Sequence, residues 1–385
     1  MKSLCVFCLV LTLPAMAADR ARDLGIPFEG TPGTLNAITD VQGVTVGHAT
    51  LHGKSTAGKA IHTGVTAILP RGAASGSTPV FGSWFAQNGN GEMTGTAWID
   101  ESGFIEGPIM LTNTHSVGTV RDAVIAYRVA QGDADASGYW WSLPVVAETW
   151  DGHLNDINGF HVKPEHALQA ISNAKSGPVA EGNVGGGSGM ICHEFKCGIG
   201  TASRHVSIDG KSYTVGVLVQ ANYGLRDSLR IAGVPVGQHL RNDRVYSEEP
   251  AKPADTGSII IIVATDAPLL PTQLKRIAKR ATMGLARMGS YAGNGSGDIF
   301  AAFSTTKPKA VNSSLSTTEF IGNDSIDPLF EATVQATEES IVNAMIAADD
   351  IMDGVDGHYA KAIDERALID LLKRYQRYQP PSGKP

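Results

Sequence analysis

The sequence predicts a layered α/β sandwich, in which helices cover sheets whose strands are buried on both faces. Three observations lead there. Short runs rich in β-branched residues, bounded by Gly, Pro or Asn, alternate with segments whose apolar residues recur every three or four positions. The runs are apolar at nearly every position rather than at alternate ones, which calls for cover on both sides. No Pro/Ser/Gly-rich linker divides the 385 residues into complete sets of elements, so one large domain is expected.

The elements follow in chain order. "MKSLCVFCLVLTLPAMAADRARD" has Lys2, an apolar stretch from Leu4 to Leu13, a helix-breaking Pro14, and Ala15 and Ala17 at A-x-A spacing. It reads as a secretory leader cut after Ala17, with a periplasmic or secreted mature chain from 18 to 385. No later run approaches the ~20 apolar residues of a membrane span, so no membrane partner is expected. Thr63 to Leu69 reads as a strand, and Val117, Val120, Val124 and Tyr127 as one face of a helix. Tyr213 to Gln220, Ser258 to Ala264 and Asp298 to Ser304 are further strands. Leu274, Ile277, Ala281, Leu285 and Met288 mark a second helix. Asp327 is expected to cap a third, with Pro328 in its first turn and Phe330, Val334, Ile341, Met345 and Met352 on one face. Asp364 caps a fourth, running through Tyr375.

Composition narrows the partners. With 42% hydrophobic residues, 18% charged residues and 44 glycines, the chain is globular rather than disordered or fibrous. Its formal charge of -7, without a dense Lys/Arg run, excludes a nucleic-acid binder, which needs a basic face. A small molecule or peptide is the expected partner. Removing the leader leaves Cys192 and Cys197, which read either as a disulfide or as two small buried apolar residues. Zinc would need more ligands than the nearby His193 and His205 supply. His153, Asp156, His161, Glu165 and His166 lack H-E-x-x-H spacing and read as a surface cluster. "NVGGGSGM" lacks the Lys-Ser/Thr of a phosphate loop. No metal and no cofactor are expected.

The chemistry concentrates at "DTGSIIIIVATDAP", where a polar loop runs directly into a buried strand. Ser258 inside an intact chain is simply a serine opening a strand. At a chain's own N-terminus it would carry nucleophile and base together, because an α-amine with a pKa of ~7.7–8.0 accepts the hydroxyl proton near neutral pH. Gly257 places no side chain in the way of attack on its carbonyl, and glycine tolerates unusual backbone angles. The polar loop before it reads as free to move away after a cut. In "GNGSGDIF", Ser296 and Asp298 stand two apart at the start of a strand and so face the same way. They form either a hydroxyl–carboxylate relay toward Ser258 or an ordinary Gly-rich turn.

The seam "GSIIIIVATDAPLLPTQLKR", together with "VQANYG", "AETWDG" and "GNGSGD", resembles the L-aminopeptidase/D-esterase (DmpA) and β-peptidyl aminopeptidase family. The likeness runs from "LNAITDVQGVTVGHAT" to "EATVQATEESIVNAM". It implies a four-layer αββα sandwich, related to but distinct from N-terminal nucleophile hydrolases. It also implies a precursor that cuts itself between Gly257 and Ser258 into subunits 18–257 and 258–385, which stay together and assemble into homo-oligomers. Ser258 is then the nucleophile, with Ser296 and Asp298 as its supporting hydroxyl and acid. Asn222 would donate to the oxyanion, and Glu148 would hold the substrate's ammonium. Trp150 stands where the family has tyrosine; its indole N–H donates but carries no hydroxyl. The substrate class is a small peptide or an amide or ester of an L-α-, D- or β-amino acid. Two rivals are a periplasmic solute-binding protein and an acyltransferase resembling ornithine acetyltransferase, which uses threonine at its seam.

Overall fold

The computed structural model describes residues 20–132, 141–246, 255–310, 312 and 314–381; the leader expected over residues 1–17 lies outside them. The strands that build the two main sheets and one hairpin are β1 (Thr45–Lys54), β2 (Ala60–Leu69), β3 (Val80–Gly89), β4 (Phe104–Ile105), β5 (Ile109–Asn113), β6 (Val145–Thr149), β7 (Ile191–Cys192), β8 (Phe195–Lys196), β9 (Ile199–Ile208), β10 (Lys211–Asn222), β11 (Ser258–Thr265) and β12 (Gly297–Ser304). The helices are α1 (Thr96–Ser102), α2 (Val117–Ala130), α3 (Pro164–Ser172), α4 (Pro271–Arg287), α5 (Asp327–Ile346) and α6 (Glu365–Arg374). One sheet has the order β1-β2-β5-β6 and the other β4-β3-β12-β11-β10-β9. The β5–β6 and β11–β12 pairs are parallel and the remaining neighbours antiparallel.

Three apolar cores stack between four layers. Val65, Met110 and Val146 of the first sheet pack on Val120 and Val124 of α2 and Ile171 of α3. Its other face, with Ile68, Leu111 and Ala147, meets Leu218, Ile260, Ile262 and Ile299 of the second sheet. The outer face of that sheet, with Val219, Ile261 and Phe300, packs on Leu274 and Leu285 of α4 and Ile341 and Met345 of α5. The arrangement is an αββα sandwich, as expected. It also accounts for the isoleucine run, since alternate residues of β11 serve the helix core (Ile259, Ile261, Val263) and the inter-sheet core (Ile260, Ile262, Ala264).

Two details of α5 differ from expectation. Asp327 is its first residue rather than its cap; the cap position falls on Ile326, and no side chain bonds there. The helix ends at Ile346, leaving Met352 57% exposed beyond it. The acidic pair Asp349–Asp350 at that end opposes the helix dipole, which disfavours another turn. Asp364 does cap α6, accepting from Ala367 N–H at 2.9 Å. Cys192 and Cys197 are disulfide-bonded and close the β7–β8 hairpin.

Candidate active site

The ends of five strands converge on Ser258. It opens β11, directly opposite Asn222 at the end of β10 and beside Gly297 at the start of β12. From the other sheet, parallel β5 and β6 end side by side, with Thr112 opposite Glu148 and Asn113 opposite Thr149. A cavity of about 450 Å³ lies between, lined by Ser258, Gly257, Glu148, Thr114, Glu92 and Trp150 among others. Ser258 is only 5% exposed, at the floor of this cavity.

Each expected residue has a definite place. Ser296 Oγ donates to Asp298 Oδ1 at 2.7 Å, which joins the two expected side chains to each other. Asp298 is fully buried, its Oδ2 has no hydrogen-bond partner among the described residues, and burial pushes its carboxyl up to about 6. Ser296 opposes that rise and Asp255 adds to it. Asn222 accepts from Ile191 N–H through Oδ1 at 2.9 Å, which orients the amide and leaves its NH2 as the donor half. Ile191 belongs to the disulfide-closed hairpin, so Asn222 is braced from behind.

Glu148 is buried, accepting from Glu92 N–H at 3.0 Å and from the Thr114 hydroxyl. Desolvation raises its carboxyl above the usual range, against the pull of these two donors. A charged amine reaching it from the cavity would favour the ionised carboxylate and oppose that rise. Trp150 departs from expectation: its backbone N–H, not its indole, points to Ser258 Oγ, at 3.4 Å. The indole, 45% exposed, lies over Gly152, where an added Cβ would stand 2.5 Å from the ring.

Gly257 is required for a reason other than its torsion angles, since its φ is not positive. A Cβ there would come within 2.4 Å of Asn222 O and Tyr223 Cα, so only glycine lets the backbones approach. Its carbonyl accepts from Gly297 N–H at 3.0 Å.

Sequence reasoning missed Thr114, Glu92 and Asp151. Asp151 is wholly buried, accepts from Asn113 Nδ2 at 3.1 Å and Asn155 Nδ2 at 3.0 Å, and is pushed up to about 6 by desolvation. It ties the end of β5 to the residue after Trp150. The only sign in the sequence was an acid beside Trp150 in "AETWDG". The histidines expected in a surface cluster are half-buried and divide into local contacts: His161 with Asp156, His166 with Lys163 N–H, and His153 stacked on His358.

The profile of peptidase family S58 matches residues 36–360. Over 374 residues, 93% of each chain, the sequence is 54% identical to the "Beta-peptidyl aminopeptidase BapA" of Sphingosinicella microcystinivorans. The fold matches that of the L-aminopeptidase D-ala-esterase/amidase from Ochrobactrum anthropi, described as a new variant of the Ntn hydrolase fold, with a TM-score of 0.88 and 46% identity over 93% of this chain and 99% of that one. A Burkholderia sp. beta-aminopeptidase superposes with a TM-score of 0.83 and 46% identity, over 95% and 100% of the two chains. The chain therefore belongs to peptidase family S58 and is a hydrolase of the aminopeptidase class.

Proposed function

We propose that the chain is a secreted or periplasmic aminopeptidase that cuts itself before Ser258 and then uses that residue's own amine as base. The observation that carries this reading is the position of Ser258: a serine at the start of a strand, at the floor of a cavity whose other wall holds Glu148. In the intact chain, Ser258 Oγ adds to the Gly257 carbonyl carbon and the C–N bond breaks, freeing the amine and leaving an ester. Water hydrolyses the ester to the Gly257 carboxylate. β11 and β12 belong to 258–385 and their sheet partners β10 and β3 to 18–257, so the halves stay together through one sheet.

In turnover, the α-amine takes the Oγ proton as Oγ attacks the substrate carbonyl. The Asn222 amide and the Trp150 backbone N–H donate to the developing oxyanion. The proton passes to the leaving amine, and water releases the acyl group. Ser296 and Asp298 orient Ser258, and the unpartnered Asp298 Oδ2 is available to its ammonium form. Glu148 receives the ammonium of the substrate, which limits the enzyme to free amino ends. Small peptides and amino-acid amides or esters suit the cavity. The relatives' names favour β-amino acyl groups, with D- and L-amino acyl groups next. Assembly of the paired subunits into a homo-oligomer belongs to the same reading. Against an acyltransferase stands serine rather than threonine at the seam. Intact mass tests the proposal: the wild type should give chains 18–257 and 258–385, and Ser258→Ala one unbroken chain. A Ser258→Ala chain split at the same bond would end it.

A further inference from the structure

Sequence reasoning reads the loop before Ser258 as free to move away after a cut. In the uncut chain its last residues are built into the site. Asp255 is 5% exposed, and its two carboxylate oxygens reach in opposite directions. Oδ1 accepts from Gly224 N–H at 3.3 Å, just past the end of β10 that carries Asn222. Oδ2 accepts from Gly293 N–H at 3.2 Å, in the loop that carries Ser296. Two residues on, Gly257 O is held by Gly297 N–H at 3.0 Å. Thr256 between them packs on the same loop, since a Cβ on Gly295 would stand 2.9 Å from Thr256 Cγ2.

We infer that Asp255 is a positioning residue for cleavage of the Gly257–Ser258 bond, tying the scissile segment at once to the Asn222 strand end and to the Ser296 loop. The inference rests on the self-cleavage proposed above. Attack of Oγ on the carbonyl of the preceding residue needs that carbonyl held in one orientation, which free loop residues do not provide. Asp255 and the Gly297 N–H fix the segment at two points, one on each side of Thr256. A carboxylate is costly to bury, and neither of these two donors carries a charge to offset it. Asp298, also buried, lies close enough to repel it. An asparagine can accept one of the two N–H groups but would turn an NH2 toward the other.

The test is a time course of chain splitting by intact mass after cell-free synthesis, for the wild type, Asp255→Asn, Asp255→Ala and Ser258→Ala. Both Asp255 variants should split at the same bond about ten- to a hundredfold more slowly than the wild type. Thermal unfolding of unsplit Ser258→Ala and of Ser258→Ala/Asp255→Asn separates positioning from general stability. Similar Tm values with slow splitting support the inference. A Tm that falls in step with splitting makes Asp255 merely structural and overturns it. Wild-type splitting with unchanged rates in both Asp255 variants overturns it while leaving self-cleavage intact. A wild type that never splits overturns the self-cleavage reading itself, and this inference with it.

Discussion

Asn222 and Ser258 are direct partners across the last rung of the β10–β11 ladder, and the Asn222 amide is oriented by Ile191 N–H behind it. A donor fixed to the strand next to the proposed nucleophile would be organised before substrate arrives. Asn222→Ala should lower kcat by about 10²- to 10³-fold, the usual effect of losing one oxyanion donor, with KM little changed. Steady-state kinetics on an amino-acid p-nitroanilide checks this. A loss confined to KM would place Asn222 in substrate binding instead.

Glu148 separates an aminopeptidase from a general amidase. A charge-assisted bond to the substrate ammonium contributes about 1.5–3 kcal/mol. Glu148→Gln should therefore slow free-amine substrates by about ten- to a hundredfold in kcat/KM. N-acetylated substrates should be poor for the wild type and nearly indifferent to the change. Splitting of the chain should be largely spared, because the intact chain presents no free amine to Glu148. Equal wild-type turnover of a p-nitroanilide and its N-acetyl derivative would remove Glu148 from this role.

Self-cleavage and turnover should differ in pH dependence because they use different bases. The intact chain has no free amine at Ser258, and the relay proposed above would make Asp298, through Ser296, the proton acceptor for splitting. The Asp298 carboxyl is raised to about 6, so its basic form is lost as pH falls through that value. Splitting should be level above about pH 7 and fall about tenfold per pH unit well below 6. Turnover should instead rise with deprotonation of the Ser258 amine near ~7.7–8.0, then fall once the substrate's own ammonium is lost. Intact-mass time courses and kcat/KM profiles between pH 5 and 9 separate the two. His115→Ala should leave the alkaline rise in place; its loss, with splitting intact, would make that histidine the base.

The β11–β12 half of this site was legible in the sequence because local order there is written residue by residue. The isoleucine run needs cover on both faces, and Ser296 and Asp298 fall two apart at a strand start. β1 and β9 were not recognised, since "TVGHATLHGK" and "IGTASRHVSI" carry small and polar residues where strands usually carry branched ones. In β9 the cause is α5: a Cβ on Gly200 would lie 1.9 Å from Ser340 O, so helix contact demands small residues. Glu148 was found only through its motif. Thr114 and Glu92 reach it from other elements, across 34 and 56 residues of sequence, a distance that local patterns do not span.

Asp151 joins those two halves of the problem, because it holds Asn113, next to Thr114, and follows Trp150 directly. Its carboxyl is raised from the ordinary ~3.9 to about 6 by complete burial, so the folded chain binds its proton more tightly than the unfolded one. The penalty for ionising it is absent below about pH 4, grows as pH rises to 6 and stays constant above. Wild-type stability should therefore decline across that window by on the order of 3 kcal/mol from this group alone. Asp151→Asn cannot ionise and should not show this part of the decline, so its stability relative to wild type should improve by that amount between pH 4 and 7.5. Denaturant unfolding at both pH values, in a Ser258→Ala background, measures it. In the active enzyme the same change loosens the tie between Asn113 and the Trp150 loop. KM for free-amine substrates should then rise through Thr114 and Glu148, and kcat should fall through the Trp150 N–H. A variant with wild-type kcat and KM would show that β5 and β6 hold the two groups without this buried acid.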